Sequence, residues 1–285
     1  MLSAGLSRLE KEDNLTNSDR DMDIVVCIKQ VPHPDHFSQI TLDPVTKAIR
    51  REGVPLIMNP VDRNAVEVAL QLRDSFPGKV MALTMGPPQA REALEEALAM
   101  GADEAILLCD RAFAGADAYA TALTVAAAIN KFCSFDLILC GVETVDSGTK
   151  MVGPMLAEFL DVPYATNVKA LKLTSEETCL AETDLDNASM KVELRLPALI
   201  TVNKAINEPR IPDVMGIMQM ADKTISTYGA KDLGLPAEQL GLAGSPTRVA
   251  NVWEFKKDRR SEVLQGNAKH VSKHAVNKLR EWGGL

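Results

Sequence analysis

Ala105 to Leu160 reads AILLCDRAFAGADAYATALTVAAAINKFCSFDLILCGVETVDSGTKMVGPMLAEFL. Two apolar runs, Ala105 to Leu108 and Leu137 to Cys140, each lead through a polar loop into helical spacing. Short apolar runs that alternate with helices predict a doubly wound α/β fold with a mainly parallel, Rossmann-like sheet covered on both faces. In such sheets ligands lie over the carboxyl ends of the strands, where loops meet helix N-termini. Both loops are rich in Gly, Ser, Thr and Asp, which allow close backbone approach to phosphate and cap the following helix. The expectation is a nucleotide site built from these two loops.

Working outward, 285 residues suffice for a full core, as one large domain or a domain with an arm. A formal net charge of -8 argues against a nucleic-acid surface, which needs clustered Lys and Arg. Cys27, Cys109, Cys133, Cys140 and Cys179 show no CxxC spacing and stand in or beside apolar runs, so they read as reduced core thiols of a cytoplasmic protein. No apolar run approaches the roughly 20 residues of a membrane helix, so no membrane insertion is expected. Residues 1–21 read as an extension of little order, residues 22–235 as the nucleotide-binding domain, and residues 236–285 as an arm for a partner. Within the arm, Val252 to Phe255 reads as a short extended contact, and Val271, Ala275, Leu279 and Trp282 form one stripe of a final helix.

Along the chain, Ile24 to Ile28 is a β-branched run suited to a central strand, and Thr41 to Pro55 reads as a hairpin or excursion. Asn59 to Asp62 opens a helix on the stripe Ala65, Val66, Ala69 and Leu72, with Asp62 as its expected N-cap. Val80 to Thr84 is a second strand, followed by a helix over Gln89 to Met100 on which Arg91 and Glu95 can pair. In the first organising loop Gly115 permits close approach, Asp117 caps the next helix, and Phe113 is either a core anchor or a ring beside the ligand. In the second, the amides of Ser147 to Lys150 are expected to face an anion, with Lys150 adding a positive charge and Asp146 acting as a cap or hydroxyl acceptor. Val168 to Leu173 and Lys191 to Leu196 read as a β-hairpin around a polar excursion, before a buried strand Leu199 to Val202. Asn207 to Met218, with two prolines and an apolar patch, suits either docking or packing on its own domain. His33, Asp35 and His36 lack a second ligand cluster and are read as no metal site. His270 and His274 are read as surface. No Ser-His-Asp or Cys-His arrangement nominates a catalytic residue.

Several segments carry a resemblance: IVVCIKQVP from Ile24, MNPVDRNAVEVAL from Met58, TMGPPQAREALEEALAMGADEAILL from Thr84, LLCDRAFAGADAYATALTVAAAI from Leu107, CGVETVDSGTKMVGPMLAEFLDVP from Cys140, and LRLPALITVNKAINEPRIPDVMGIM from Leu194. In this order and spacing, from about Asp23 to about Leu235, the chain resembles the beta subunit of electron-transfer flavoproteins, particularly the anaerobic, electron-bifurcating branch. The resemblance implies an adenine nucleotide in the beta site, FAD in the bifurcating branch or AMP in the conventional one, with NADH as a possible electron donor. It implies an alpha subunit with its own FAD, an FAD-containing dehydrogenase, and a ferredoxin or flavodoxin as partners.

The cofactor-binding positions it implies are Cys27, Asn59, Asp62, Met85 and Gly86. The first loop adds Asp110, Phe113, Ala114, Gly115, Asp117 and Thr121; the second adds Gly141, Val142, Thr144, Asp146, Ser147, Gly148, Thr149, Lys150, Met151 and Val152. Glu143 and Thr144 stand where the family usually has a glutamine and a small residue, which bears on the nucleotide's identity. Asn207 to Met218 is similar to the family's recognition loop, implying partner-docking roles for Glu208, Pro209, Arg210, Val214, Met215 and Ile217. The lysine cluster that follows in the conventional branch is thinned here to Gln219, Ala221 and Asp222, with only Lys223 kept.

Overall fold

Ile24, Val26, Leu137 and Leu139 point into one apolar layer while Val25, Ile138 and Cys140 point into another, so both central strands are buried on both faces. That alternation is the period of a strand whose two sides are both covered, as the short apolar runs predict. The computed structural model describes residues 21–39, 41–42, 49–50, 53–250 and 262–283. The expectations for residues 1–20 and for Val252 to Phe255 lie outside the described residues.

In chain order the elements are β1 (Ile24–Cys27), β2 (Gln30–Pro32), β3 (Thr41–Leu42), β4 (Ile49–Arg50), β5 (Leu56–Met58), α1 (Pro60–Ser75), β6 (Val80–Met85), α2 (Arg91–Met100), β7 (Glu104–Leu108), α3 (Ala118–Phe132), β8 (Leu137–Gly141) and α4 (Val152–Leu160). They continue with β9 (Tyr164–Leu173), β10 (Thr178–Leu185), β11 (Ala188–Arg195), β12 (Ala198–Val202), α5 (Val214–Met220), β13 (Ile225–Tyr228), α6 (Ala230–Leu233) and α7 (Ala268–Glu281). The main sheet runs β11-β10-β9-β12-β8-β1-β6-β7-β13. Every pairing from β9 across to β13 is parallel, while β10 pairs antiparallel with β9 and β11. Two small antiparallel ribbons, β2 with β5 and β3 with β4, stand apart from it. Residues of α1 and α2 pack into the layer on one face, and residues of α3 and α4 into the layer on the other.

Two expectations change, and one strand is added. The polar stretch after Leu173 is itself largely a strand: β10 turns Cys179, Ala181 and Thr183 inward, and these small residues hide the alternation among Glu and Asp. The expected hairpin is therefore a three-stranded meander that extends the sheet. A further edge strand, β13, pairs with β7, and its Tyr228 stacks on Phe132 with ring centroids 3.8 Å apart. The helix expected from Gln89 begins at Arg91, after a short 3-10 turn over Pro88–Ala90.

The chain divides into two compact units, Met1–Val249 and Ala250–Leu285. Pro236 to Val249, expected to open the arm, therefore belongs with the first. Leu240 is buried there, and the Leu242 amide donates to the Ala114 carbonyl at 3.0 Å. In the second unit α7 is capped by Asn267, whose side chain accepts from the His270 amide. Glu262 pairs with Lys278 at 3.0 Å, and none of the residues of α7 is buried.

Candidate functional site

β1 leads through α1 to β6 on one side of it, whereas β8 lies on the other side and continues toward β12. The loops after β1 and β8 therefore part at a topological switch point, the position at which open α/β sheets hold ligands. The start of α1 fills the gap between them. Asn59 is fully buried and makes no side-chain cap; its Nδ2 donates to the Glu143 carbonyl at 2.9 Å and its Oδ1 accepts from the Val145 amide at 3.1 Å. It clamps the loop after β8.

Asp62 is not the N-cap. Pro60 needs no N–H at the first helical position, so the helix starts there and Asp62 falls at the third position, within the first turn, buried. Its Oδ2 accepts from the Lys29 amide at 2.8 Å and its Oδ1 from the Gly141 amide at 3.1 Å. One carboxylate thus ties the ends of β1 and β8 to α1. Burial pushes its pKa up to about 7, opposed by hydrogen bonds from Asn59, Lys29 and Gly141 and by the Lys29 charge. Beneath it, Cys27 and Cys140 face each other across the strand pair, and burial holds both thiols well above their usual range.

Lys29, which the sequence reading passed over, reaches into the same crevice. Its ammonium donates to both oxygens of Asp146, at 2.7 and 2.8 Å, and the Asp146 carboxylate is buried. Asp146 is thus chiefly an ion-pair partner and also accepts from the Ser147 hydroxyl at 3.3 Å. The amides of Ser147 and Gly148 donate to the Thr144 carbonyl, so these two close their own turn and do not face an anion. The Thr144 and Ser147 hydroxyls lie 2.7 Å apart. Lys150 adopts a left-handed backbone, φ 58°, and its ammonium stands 3.6 Å from Glu143. The departure at Glu143 thereby carries its own counter-charge. Thr149, Lys150 and Met151 are exposed at the entrance to α4, which begins at Val152.

Gly148 has φ 60°, and a Cβ there would find its nearest neighbours, Glu143 Oε2 and Thr144 O, at 3.7 and 3.8 Å. The space admits a side chain. Gly148→Glu is therefore expected to fold, at a cost of about 1–2 kcal/mol for the left-handed backbone, while setting a second carboxylate beside Glu143. Nucleotide retained through purification should fall by about tenfold or more. Unchanged content would place any bound anion away from this loop.

The first organising loop lies farther along the sheet, after β7, with β1 and β6 between it and β8. Its polar groups are engaged by the chain's own later segment. Asp110 accepts from the amides of Ala112 and Ala230 at 2.9 and 3.0 Å, which holds its carboxyl below the usual range. Asp117 caps α3 through the Ala120 amide, as expected, and also accepts from the amide and hydroxyl of Thr247. Phe113 is buried in the core layer that also holds residues of α3 and α4. Gly115 takes φ 75°, and a Cβ there would meet Leu242 Cβ at 3.1 Å. Ala114 bonds through its carbonyl to Leu242, and the Thr121 amide donates to the Asp117 carbonyl within the first turn of α3. Met85 and Gly86 stand between the two loops, at the end of β6, where the Gly86 amide donates to the Leu108 carbonyl at 3.0 Å. The structure thus gathers Cys27, Asn59, Asp62 and Gly141 to Val152 at the switch point and sets the Asp110 to Thr121 segment two strands away.

The Asn207 to Met218 segment is mounted on α1 and α2. Asn207 and Asn64 exchange hydrogen bonds of 2.9 to 3.1 Å. Arg210, expected to dock a partner, instead binds the buried Glu67 at 2.8 Å and Asp74 at 2.9 Å, so its charge is spent within the chain. Lys223 likewise is no free docking charge: its ammonium donates to the carbonyls of Leu98 and Ala102 at the end of α2, and burial lowers its pKa. Asp213 caps α5 through the Gly216 amide at 2.7 Å. Gly216 faces Ala99 so closely that a Cβ would overlap the Ala99 carbonyl oxygen. The outward side chains are Val214, Met215, Ile217 and Met218, from 53 to 72 % exposed, with Ile211 at 88 % beside them. Glu208 is exposed and Pro209 half-buried. The far face of this segment is apolar and open.

Among the described residues no group of three or more His, Cys, Asp or Glu is placed to hold a metal ion, and no helix is long and apolar enough to cross a membrane. A model of the electron transfer flavoprotein domain matches residues 46–233. The chain is 43 % identical over 259 residues to an electron transfer flavoprotein subunit beta of Thermoanaerobacterium thermosaccharolyticum, covering 90 % of this chain and 98 % of that one. It is 41 % identical over 262 residues to CarD, a subunit of the caffeyl-CoA reductase-Etf complex of Acetobacterium woodii, covering 91 % and 98 %. It is 38 % identical over 268 residues to FixA of Azotobacter vinelandii, covering 90 % and 94 %.

Proposed function

Because this chain belongs to the electron transfer flavoprotein family, as a beta subunit acting in electron transfer beside an alpha subunit, we propose that its switch-point crevice holds an adenine nucleotide and that this nucleotide is FAD. The observation that carries the reading is the crevice itself: Asn59 and Asp62 fix the loop after β8 against the end of β1, and Lys29 brings one cation to the gap. A phosphate would meet Lys29 and the entrance to α4 at Thr149 to Val152. The exposed side chains of Val145 and Met151 offer apolar cover for a ring. FAD is favoured over AMP by the resemblance of Asp110 to Thr121 to the bifurcating branch and by the likeness to CarD, a subunit of a reductase complex.

Bound FAD would supply the redox chemistry, taking reducing equivalents from NADH and dividing them between a high-potential and a low-potential acceptor. The chain's own residues orient it, shield it and neutralise its phosphates. The high-potential acceptor is an FAD-containing dehydrogenase acting on an acyl-CoA or a 2-hydroxyacid, docked on Val214, Met215 and Ile217. The low-potential acceptor is a ferredoxin or flavodoxin. The apolar residues of α7 pack on the alpha subunit, and the complex works in the cytoplasm.

The test is to purify the complex of this chain with its alpha subunit, denature it and weigh the released nucleotides. FAD as the sole adenine nucleotide supports the reading. AMP released alongside FAD would make the site structural and leave this chain a docking scaffold.

A further inference from the structure

Asp62 joins three elements at the crevice and yet contributes no charge pair of its own to the outside. We infer that Asp62 is a proton-coupled latch: it takes up a proton when an anionic nucleotide enters the crevice, so that occupancy and pH are linked. The inference deepens the nucleotide reading and rests on it.

The geometry sets the coupling. The carboxylate is held by the amides of Lys29 and Gly141, the second residue past β1 and the last residue of β8, so it stands directly behind the loops that would receive phosphate. The titratable and charged groups around it are the Lys29 ammonium and Cys27 thiol from β1 and its loop, and the Cys140 thiol from β8. Asn59 of the helix start lies beside it and favours the ionised form as well. Asp146 lies beyond Lys29 and shares that ammonium; Glu143 lies beyond Asn59 and pairs with Lys150. Lys29 is thus the cation nearest to the latch, and it already serves Asp146.

An arriving phosphate changes this balance in one direction. It draws on the Lys29 ammonium, which until then favours the ionised carboxyl, and it adds negative charge beside a carboxyl that is itself buried. Both effects favour the protonated form of Asp62. Since burial already brings its pKa to about 7, even a modest further rise moves it through the neutral range. The proton comes from solvent and stays on the carboxyl while the site is filled. By linkage, nucleotide affinity then falls as pH rises above about 7.

The test uses the full-length chain copurified with its alpha subunit, freed of nucleotide at this site, and titrated with AMP as probe. Calorimetry in buffers of different ionisation enthalpy, at about pH 7.5, counts protons taken up per AMP bound. The AMP phosphate makes its own contribution in every protein, so the difference between wild type and Asp62→Asn reads the latch. Expected is an uptake of a few tenths of a proton in wild type beyond that of the variant, with affinity falling up to about tenfold between pH 7 and 9 in wild type alone. Equal uptake and parallel pH profiles would overturn the inference while leaving the nucleotide site intact. Absence of AMP binding to wild type would overturn both. Should Asp62→Asn not fold, Lys29→Met serves. It leaves the carboxyl in place but already without its cation, so uptake at about pH 7.5 should drop by about half or more; uptake equal to wild type would again overturn the latch.

Discussion

A Gly141→Ala variant is expected to lose the proposed nucleotide almost completely. The glycine ends β8 against the first turn of α1, where a Cβ would overlap the Asp62 carboxylate and stand 3.1 Å from the Asp62 amide nitrogen. The helix cannot yield easily, because that amide already donates to the Asn59 carbonyl at 2.9 Å. The carboxylate must therefore swing away, releasing the amides of Lys29 and Gly141. Each buried polar group left without a partner costs about 1–3 kcal/mol. A loss of that order falls on the crevice, since both loops are held there, and corresponds to about a hundredfold or more in nucleotide affinity. Nucleotide per complex after gel filtration and the thermal midpoint would be measured together. Full nucleotide content with an unmoved midpoint would mean that the bridge through Asp62 does not shape the site.

The second large effect concerns electron delivery. Val214→Asp combined with Met215→Asp should leave nucleotide content and flavin reduction by NADH as they are and slow transfer to the dehydrogenase by about a hundredfold, since buried apolar anchors of an interface are each worth about 2 kcal/mol or more. Stability should hardly change: the two side chains are 72 and 59 % exposed, and acidic residues suit the first turn of a helix. The segment is held to the body elsewhere, through Asn207 and Arg210. Stopped-flow reduction and steady-state transfer, measured on one preparation, separate the cases. If both fall together, the strip supports the fold; if neither changes, the dehydrogenase binds another face.

The fold was readable wherever a strand is buried on both sides. Ile24 to Cys27 and Leu137 to Cys140 are continuous apolar runs, Leu199 to Val202 is broken only by Thr201, and each is a central parallel strand. β10 escaped because its inward residues are small or polar and its outward ones are charged, so the period-two signal is faint. Asp62 was misread because a carboxylate near the start of a helix is the usual mark of a cap; Pro60 was the better marker, since it sets the first turn. Lys29 escaped for another reason. Its partner Asp146 is 117 residues away, and only the parallel adjacency of β1 and β8 brings them together. A docking role for Arg210 came from the resemblance of its segment to the family's recognition loop, and no residue near it in the chain showed that its charge is paired. Glu67, lying on α1 a long way back in the chain, supplies the partner.

The seating of α5 has a consequence for how lineages of this protein can diverge. Gly216 rests against the Ala99 carbonyl, Asp213 caps the helix, and Lys223 secures the end of α2, so the constraints on this short helix fall on residues other than its outward apolar ones. The side chains at 214, 215, 217 and 218 carry none of them. Mutations can accumulate on that outer side with little penalty in folding, whereas a change at 99 or 216 unseats the whole helix. If the proposed docking on this face holds, descendants can exchange one electron-accepting partner for another by a handful of outward substitutions, while inheriting the mount unchanged.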